Sequence, residues 1–489
     1  MSQLALDLIE KEKQERTGYL DLGNCGLTEL PQELFELIHL ETLILSNEYW
    51  DDEQKIIIMS PNLGEENRLN HLPNEIEELS QLKKLMCGGN GRNKWAIENV
   101  SFLGSLIKLE ALYLSDNLIS DINFLVELKH LQKLDLSYNK ISKISEISKL
   151  AQLQILNLRF NHITNVKEIS NLSQLKVLDI SQNKISDISF LCNYKNLHTL
   201  NLWQNQISDF RHLMKLKELI SLDLGGNNIS DINFIGSLLK LEKLGLLFNQ
   251  ISDISPISKL KQLRSLILSH NQISDISPLS ELTQLNSLQL GSNQISDINI
   301  LRNLKQLKFL EIRQNNITDL SALQDLNCLS EVFLGNNPVT EGYNVPYMGS
   351  SLDFLKTWLE KKRVAEEDKV MFYVPTKVLF LGNHAAGKSC LLHYFKNQKL
   401  KKEENDSTHV LNIDRINLNK GNKKIMGYQS SDEVMPLYLY DFGGQDFYHG
   451  LYQAFTKSQG FHLLLFHKGS NENKEKPDSK GRNQINHNI

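Results

Sequence analysis

The sequence predicts an α/β chain in two parts: a solenoid of 22-residue repeats, and after it a partial P-loop α/β domain. Two observations support this prediction. Eleven asparagines stand 22 residues apart, from Asn117 to Asn337, and a fixed period of this length is typical of a solenoid. A non-repeating segment follows, and it begins with a phosphate-binding loop at Gly382 to Ser389. We therefore expect the chemistry of the chain in that C-terminal segment.

Each repeat carries apolar residues in register, as Leu266, Leu268 and Ile273 show around Asn271. One unit cannot bury this apolar face alone, whereas stacked neighbours can. We expect each LxxLxL run to form a strand of a parallel sheet, and each asparagine amide to satisfy backbone groups where the chain leaves the sheet. These residues resemble the leucine-rich repeat family in its 22-residue form. The resemblance implies a horseshoe and covers residues 20–345.

The two ends of the array differ from its middle. Leu27 and Leu69 begin repeats of a longer LxxLP kind, and Trp50 to Glu66 reads as an insertion between them. Residues 1–19 are expected to hold an amphipathic helix that caps the first repeat, because an open solenoid end exposes core. Residues 346–376 are expected to form a C-terminal cap and linker helix, since Leu352 to Leu359 has helical spacing.

Strand positions that point away from the core should line a concave face. One such column holds Tyr113, Asp135, Asn157, Asp179, Asn201, Asp223, Gly245, Ile267, Gln289, Glu311 and Phe333, and the next holds Arg159, Trp203, Leu247 and Arg313. Exposed aromatic and aliphatic side chains beside charges favour a surface for a protein partner, with Tyr113, Trp203, Ile267 and Phe333 as candidate contacts. Phe160 and Phe248 follow the second column, and the alternative is that these two rings pack along the spine.

A second ladder stands four residues after the asparagines, each member preceded by Ser or Thr. It comprises Asp121, Asp187, Asp209, Asp231, Asp253, Asp275, Asp297 and Asp319. A cation site is one interpretation. The favoured interpretation is that these carboxylates cap turns on the way to the opposite side of the solenoid.

A GxxxxGK[ST] motif lies between a predicted strand, Lys377 to Leu381, and a predicted helix, Cys390 to Phe395. In this setting the glycines let backbone N–H groups face a polyphosphate, and the helix N-terminus adds positive potential. Lys388 is expected to reach the β- and γ-phosphates, and the Ser389 hydroxyl to hold Mg²⁺. The predicted nucleotide-binding residues here are Gly382, Asn383, His384, Ala385, Ala386, Gly387, Lys388, Ser389 and Cys390.

Two further pieces follow in the order that such a site requires. A strand predicted from Val434 to Tyr440 leads into Asp441, which can hold Mg²⁺ through its water, and Gly444 can offer its N–H to the γ-phosphate. Gln445 is the candidate catalytic residue, because its amide can orient the attacking water. Thr408 is a candidate switch residue for Mg²⁺ and the γ-phosphate.

The loop, Thr408 and the Asp441-Phe-Gly-Gly-Gln445 run together resemble the Ras-like Roc GTPase domain of the Roco family, which follows a leucine-rich repeat array. The resemblance implies GTP/GDP and Mg²⁺ as cofactors, and a homodimer where a COR domain follows. It extends over residues 377–467 as a partial domain. Lys476 stands where the guanine-reading N/TKxD motif has its aspartate. The polar tail, 468–489, is expected to be disordered, and the chain to be a truncated gene product or a fragment.

Composition sets limits on the function. The net charge of −5 argues against a nucleic-acid partner. Five cysteines without a CxxC pair make zinc and a disulfide framework improbable and fit a reducing compartment. No apolar run is long enough to predict a membrane span. We expect a soluble cytoplasmic protein.

Three functions fit these observations. The first is a GTP-hydrolysing signalling switch whose repeats recognise a protein. The second is a repeat scaffold whose incomplete G domain binds nucleotide weakly or not at all. The third is a P-loop ATPase. This function is less favoured, because the DFGGQ run closely matches the Ras-like motif.

Overall fold

The computed structural model describes residues 2–51, 56–89, 95–343, 345, 349–367, 376–382, 412–418, 435–441 and 461–465. The chain divides into two compact units, residues 1–360 and 361–489. The first unit is a solenoid with one long parallel sheet, and the second holds a four-stranded sheet. The predicted α/β fold class is therefore confirmed.

The sheet of the first unit has fourteen strands, and each pairs with its neighbours in the sequence of repeats. The strands are β1 (Tyr19–Asp21), β2 (Thr42–Ile44), β5 (Lys84–Met86), β6 (Ala111–Tyr113), β7 (Lys133–Asp135), β8 (Ile155–Asn157), β9 (Val177–Asp179), β10 (Thr199–Asn201), β11 (Ser221–Asp223), β12 (Lys243–Gly245), β13 (Ser265–Ile267), β14 (Ser287–Gln289), β15 (Phe309–Glu311) and β16 (Glu331–Phe333).

Register in this sheet follows the repeat without a slip. Leu200 of β10 pairs with Leu178 on one side and Leu222 on the other. All three are buried, whereas the first and third residues of these strands are only half-buried. The central leucine therefore points into the core, and the residues on either side of it face outward.

Short 3₁₀ helices carry the chain back after the strands, and their apolar residues close the core against the leucines of the sheet. They span Gln32–Glu36, Asn74–Glu78, Ser101–Ser105, Asn123–Glu127, Ser145–Lys149, Lys167–Asn171, Ser189–Asn193, Arg211–Lys215, Asn233–Ser237, Ser255–Lys259, Ser277–Leu279, Asn299–Asn303, Ser321–Leu323 and Pro338–Thr340.

Each asparagine of the ladder joins two consecutive repeats. The Asn183 amide donates to the Ile180 carbonyl of its own repeat at 3.2 Å and to the Leu158 carbonyl of the preceding repeat at 3.0 Å. Its Oδ1 accepts the Ile163 N–H at 3.0 Å. These backbone groups lie where the chain leaves the sheet and have no partner in the strand ladder. The predicted role of the asparagines is confirmed.

The eight aspartates of the second ladder cap turns, as favoured. Each accepts the backbone N–H two residues later, for example Asp231 from Asn233 at 2.8 Å and Asp275 from Ser277 at 2.8 Å. This bond starts the turn into the following 3₁₀ helix. Within the described ranges no group of three or more possible ligands could hold a metal ion.

The structure has a helix at each end of the array. Helix α1 (Gln3–Glu15) buries Ala5 and Ile9 against the first repeats. Helix α2 (Leu352–Glu367) buries Leu355, and Trp358 packs against the same core. The insertion is an antiparallel hairpin of β3 (Glu48–Asp51) and β4 (Ile56–Met59), which begins slightly before the expected segment.

The sheet of the second unit consists of β17 (Thr376–Gly382), β18 (Asn412–Leu418), β19 (Met435–Asp441) and β20 (Phe461–Leu465), in the order β18-β19-β17-β20. Three of these strands were predicted, and β18 was not. The predicted helix at residues 390–395 and the polar tail at 468–489 lie outside the described residues.

Replacing Asn183 by alanine is expected to lower the local free energy of unfolding by about 3 kcal/mol, because each buried polar group left unpaired costs about 1–3 kcal/mol. Native-state hydrogen exchange at the Ile163 N–H measures this effect, since opening of a repeat array need not be all-or-none. The exposed Asn171 provides the control, and its replacement by alanine should change protection by less than about 0.5 kcal/mol. Equal effects at the two positions would contradict the ladder's role.

Candidate functional site

The strand order of the second unit reverses at β17. Strands β19 and β20 both run parallel to β17 and lie on opposite sides of it, while β18 lies antiparallel at the outer side of β19. In open α/β sheets, ligands bind beyond the carboxyl ends of the strands at the point where the order reverses. The topology therefore singles out the segment that follows Gly382, the last residue of β17.

Two of the predicted site residues lie at this edge. Asp441 ends β19 and pairs with Phe380 of β17, so Gly382 lies one strand across and two residues farther along. With strands about 4.8 Å apart and about 3.3 Å per residue, their backbones are about 8 Å apart. The sheet thus brings the start of the phosphate-binding motif and the expected magnesium aspartate to neighbouring strand ends.

The other predicted nucleotide-site residues lie outside the described residues, and their assignments stay predictions. These residues are Asn383, His384, Ala385, Ala386, Gly387, Lys388, Ser389, Cys390, Thr408, Gly444 and Gln445.

The sequence analysis did not identify β18 as a strand. Its apolar residues Ile413, Ile416 and Leu418 do not alternate regularly with polar ones. It lies at the outer edge of the sheet, paired only through β19.

The first unit presents a second candidate site, the outward surface of the strands of the array. Residues at the first, third and fifth positions, counted from the start of each strand, form one surface. We call this surface the exposed sheet face. The expected partner contacts Tyr113, Ile267 and Phe333 are third-position residues of β6, β13 and β16, and each is half-buried. Trp203, in the fifth position of its repeat, is also half-buried. The sequence analysis predicted that these outward positions line the concave face of the array.

Burial affects the acidic residues of the third position. It raises the pKa of Asp135 to about 6, and hydrogen bonds from Ser137 and Asn157 oppose this shift. Burial also raises the pKa of Asp179 and of Asp223. These carboxylates are therefore partly desolvated although they face outward.

Aromatic rings and one guanidinium form a stack at the edge of this face. The Arg159 guanidinium carbon lies 5.4 Å from the Tyr138 ring centroid and 5.8 Å from that of Trp203. Arg159 Nε also donates to Gln182 Oε1 at 2.9 Å. Stacked and hydrogen-bonded in this way, the cation is held within the surface. The sequence analysis missed Tyr138 and Gln182, although both directly precede ladder asparagines.

Phe160 and Phe248 occupy the same position, just before a ladder asparagine, and both have a left-handed backbone with φ of 53°. Their side chains are 43% and 51% exposed. The Phe160 ring stacks on Tyr138 at 5.0 Å, and the Phe248 ring on His270 at 4.2 Å. The two rings contact neighbouring repeats and keep much of their surface open, which places them outside the buried spine.

No helix within the described residues is long and apolar enough to cross a membrane.

Comparison with known proteins agrees with both units. The family described as "Ras of Complex, Roc, domain of DAPkinase" matches residues 377–486. The family described as "Leucine Rich repeats (2 copies)" matches residues 129–173, 173–213, 217–259 and 261–303. The search of curated proteins found no match.

Two solved structures resemble the array. An internalin, InlF, of Listeria monocytogenes is 31% identical, and the match covers 67% of this chain and 89% of the internalin with a TM-score of 0.57. A leucine-rich repeat protein of Leptospira interrogans is 27% identical, with 73% and 96% covered and a TM-score of 0.55. Leucine-rich repeats followed directly by a Roc domain are the arrangement expected from the sequence, and the chain belongs to the leucine-rich repeat Roco family.

Proposed function

We propose that the chain is a GTP-binding signalling switch of the Roc type, which hydrolyses GTP and whose repeat array docks a protein partner. One observation carries the nucleotide half of this proposal. The phosphate-binding motif begins at the carboxyl end of β17, where the strand order reverses, and Asp441 ends the neighbouring strand. A P-loop site needs this juxtaposition of a loop and an aspartate.

The residues have distinct roles in this proposal. The backbone amides of the loop from Gly382 to Ser389 cradle the phosphates, and the Lys388 ammonium reaches the β- and γ-phosphates. The donor set Ser389, Thr408 and Asp441 consists of oxygens, which Mg²⁺ prefers. When bound, Mg²⁺ neutralises charge that develops on the phosphates.

Two other residues act on the γ-phosphate side of the site. The Gly444 N–H donates to the γ-phosphate, and the Gln445 amide orients the attacking water. Guanine preference follows from membership of the family. Lys476, in place of the aspartate of the guanine-reading motif, favours the second candidate, a repeat scaffold that binds nucleotide weakly.

Two features of the array support the docking half of the proposal. The Phe160 and Phe248 rings are exposed, and the Arg159 guanidinium lies over the Tyr138 ring on which Phe160 stacks. Exposed aromatic rings and arginine are typical of protein interfaces. The desolvated carboxylates of the third position also reduce stability, and groups that do so are often kept for binding. We assign the switch to the cytoplasm, because the free cysteines Cys25, Cys87, Cys192 and Cys328 fit a reducing compartment.

The Lys388→Ala variant is expected to lose at least tenfold in affinity for labelled GTP in the presence of Mg²⁺, because the lysine charge contacts two phosphates. Equilibrium titration with GTP and ATP measures this effect, and Lys396→Ala, a lysine outside the motif, is the matched control. Selective ATP binding would favour an ATPase. No binding of either nucleotide by the intact chain would leave the scaffold function.

The Gln445→Leu variant is expected to hydrolyse bound GTP at least tenfold more slowly, while its GTP affinity stays within about twofold, because the amide acts on water and not on the nucleotide. Single-turnover hydrolysis and equilibrium titration of the same preparation separate the two effects. An unchanged hydrolysis rate would remove the assigned role.

The stability of the Asp135→Asn variant relative to the natural chain is expected to rise by roughly 2 kcal/mol between pH 4 and pH 7.5, while the lost Asn157 hydrogen bond lowers it equally at both pH values. The folded pKa of Asp135 is about 6, above the unfolded value of about 3.9. The folded chain thus binds the proton more tightly, and stability falls as the pH rises from about 4 to about 6.

Urea unfolding of the array at the two pH values measures this difference. The control is Asp187→Asn, because the Ser189 N–H lowers the pKa of that exposed carboxylate. This variant should gain no stability at pH 7.5. A gain of equal size in both variants would show that general charge reduction, and not desolvation at Asp135, is responsible.

A further inference from the structure

We infer that the exposed sheet face recognises a protein segment that presents a lysine or arginine side chain to the Asp223 carboxylate and an apolar side chain to Leu247 and Ile267. This inference rests on the proposed docking function and adds the chemistry of the partner. The argument begins with an internal comparison that the repeats provide.

Asp and Asn alternate at the third position of five consecutive strands: Asp135, Asn157, Asp179, Asn201 and Asp223. Both residue types make the same turn bond. Asp135 Oδ1 accepts the N–H two residues later at 2.8 Å, and Asn157 Oδ1 does so at 3.1 Å. The turn therefore does not require a negative charge, since a neutral amide performs the same function one repeat away.

The second carboxylate oxygen distinguishes Asp223 from the other two. Asp135 Oδ2 accepts from Asn157 Nδ2 at 3.2 Å, and Asp179 Oδ2 accepts from Asn201 Nδ2 at 2.9 Å. Asp223 is followed at the same position by Gly245, which has no side-chain donor. Among the described residues, Asp223 Oδ2 has no hydrogen-bond partner.

Gly245 also fixes where this carboxylate lies. A Cβ atom at Gly245 would stand 2.6 Å from Asp223 Oδ1, closer than real contacts allow. The carboxylate therefore extends over strand β12, in space that any other residue would fill. Burial raises the pKa of Asp223, and the Gly225 N–H and the Arg159 charge oppose this shift without cancelling it, so the carboxylate is partly desolvated. A charged donor from a partner would supply the missing bond.

Two cationic side chains near Asp223, those of Arg159 and Lys243, are not bonded to it. Arg159 is held between the Tyr138 and Trp203 rings. Lys243, at the first position of β12, is exposed and makes no ion pair with Asp223 in the described part of the chain. The Arg159 charge acts on Asp223 from a distance, but no cation among the described residues donates a hydrogen bond to its Oδ2, so a partner's ammonium or guanidinium has a free acceptor there.

Beyond Gly245 the face carries two apolar side chains, next to polar residues such as Gln289 of the following strand. Leu247 and Ile267 are half-buried, and the Phe248 ring is 51% exposed. Ile267 lies two strands from Asp223, about 10 Å away across the sheet. An extended chain covers that distance in about three residues. The segment that fits carries a cation and an apolar side chain about three positions apart.

A double-mutant cycle between protein and peptide tests this inference. The probes are fluorescein-labelled octapeptides, blocked at both ends, with one lysine and one phenylalanine three positions apart in a glycine–serine background. A second peptide carries norleucine and a third glutamate in place of the lysine, and norleucine keeps the aliphatic stem without the charge. The Asp223→Asn variant of the full chain should fold, because Asn157 and Asn201 already occupy this position in neighbouring repeats.

We expect Asp223→Asn to weaken binding of the lysine peptide about tenfold and to leave the norleucine peptide unchanged, the ratio expected for one charge-assisted hydrogen bond. Asp231→Asn removes the same charge from a turn aspartate that is exposed and is the matched control. It should change neither affinity. Ile267→Ser should weaken both peptides, because both carry the phenylalanine.

Three outcomes would overturn the inference: no coupling between Asp223 and the lysine, equal losses in the Asp223 and Asp231 variants, or no binding of the lysine peptide up to about 1 mM. Preferential binding of the glutamate peptide, abolished by Ser221→Trp on the same face, would overturn the cation preference and keep the docking function. If none of the three peptides binds, the result counts against docking on this face as well.

Discussion

The hydrogen bonds of the buried asparagines are the interaction on which the array depends. Each amide must reach a carbonyl of its own repeat and another in the repeat before it, as Asn183 reaches Ile180 and Leu158. Without these bonds the backbone groups would be unpaired in the core, where the cost is high. From Asn139 onward each amide reaches back 25 residues, in keeping with the constant period of 22, whereas Asn117 reaches back 30 residues across a longer repeat. The apolar core then fills the space that the asparagines define.

The periodicity determines much of what the sequence could predict. The same contacts recur in every repeat. One unit was therefore enough to predict the strands, the asparagine bonds and the turn aspartates of the others. The Arg159 stack could not be read in this way, since Tyr138, Gln182 and Trp203 come from different repeats. Such contacts depend on which residues happen to adjoin across the sheet, and a one-dimensional pattern does not contain that information.

In the second unit the predictions came from residue identity and not from a repeating pattern. Its motif, GxxxxGK[ST], predicts a nucleotide site by residue identity and spacing, and the sequence predicted three of the four strands that the structure describes there. The edge strand β18 was missed because its side chains alternate poorly, and its pairing comes from β19 rather than from a local pattern. The order of the strands also had to come from the structure, since neighbours in the sheet are not neighbours in sequence. That order places Gly382 and Asp441 at one edge.

The reach of each asparagine has a consequence for how the array changes over generations. An amide that bonds only to its own repeat and to the preceding one is unaffected by the number of units beyond these two. Duplication or loss of a whole unit, such as the 22 residues from one ladder asparagine to the next, would restore the same bonds at the new junction. The exposed sheet face can thus become longer or shorter in discrete steps while the stacking geometry stays constant.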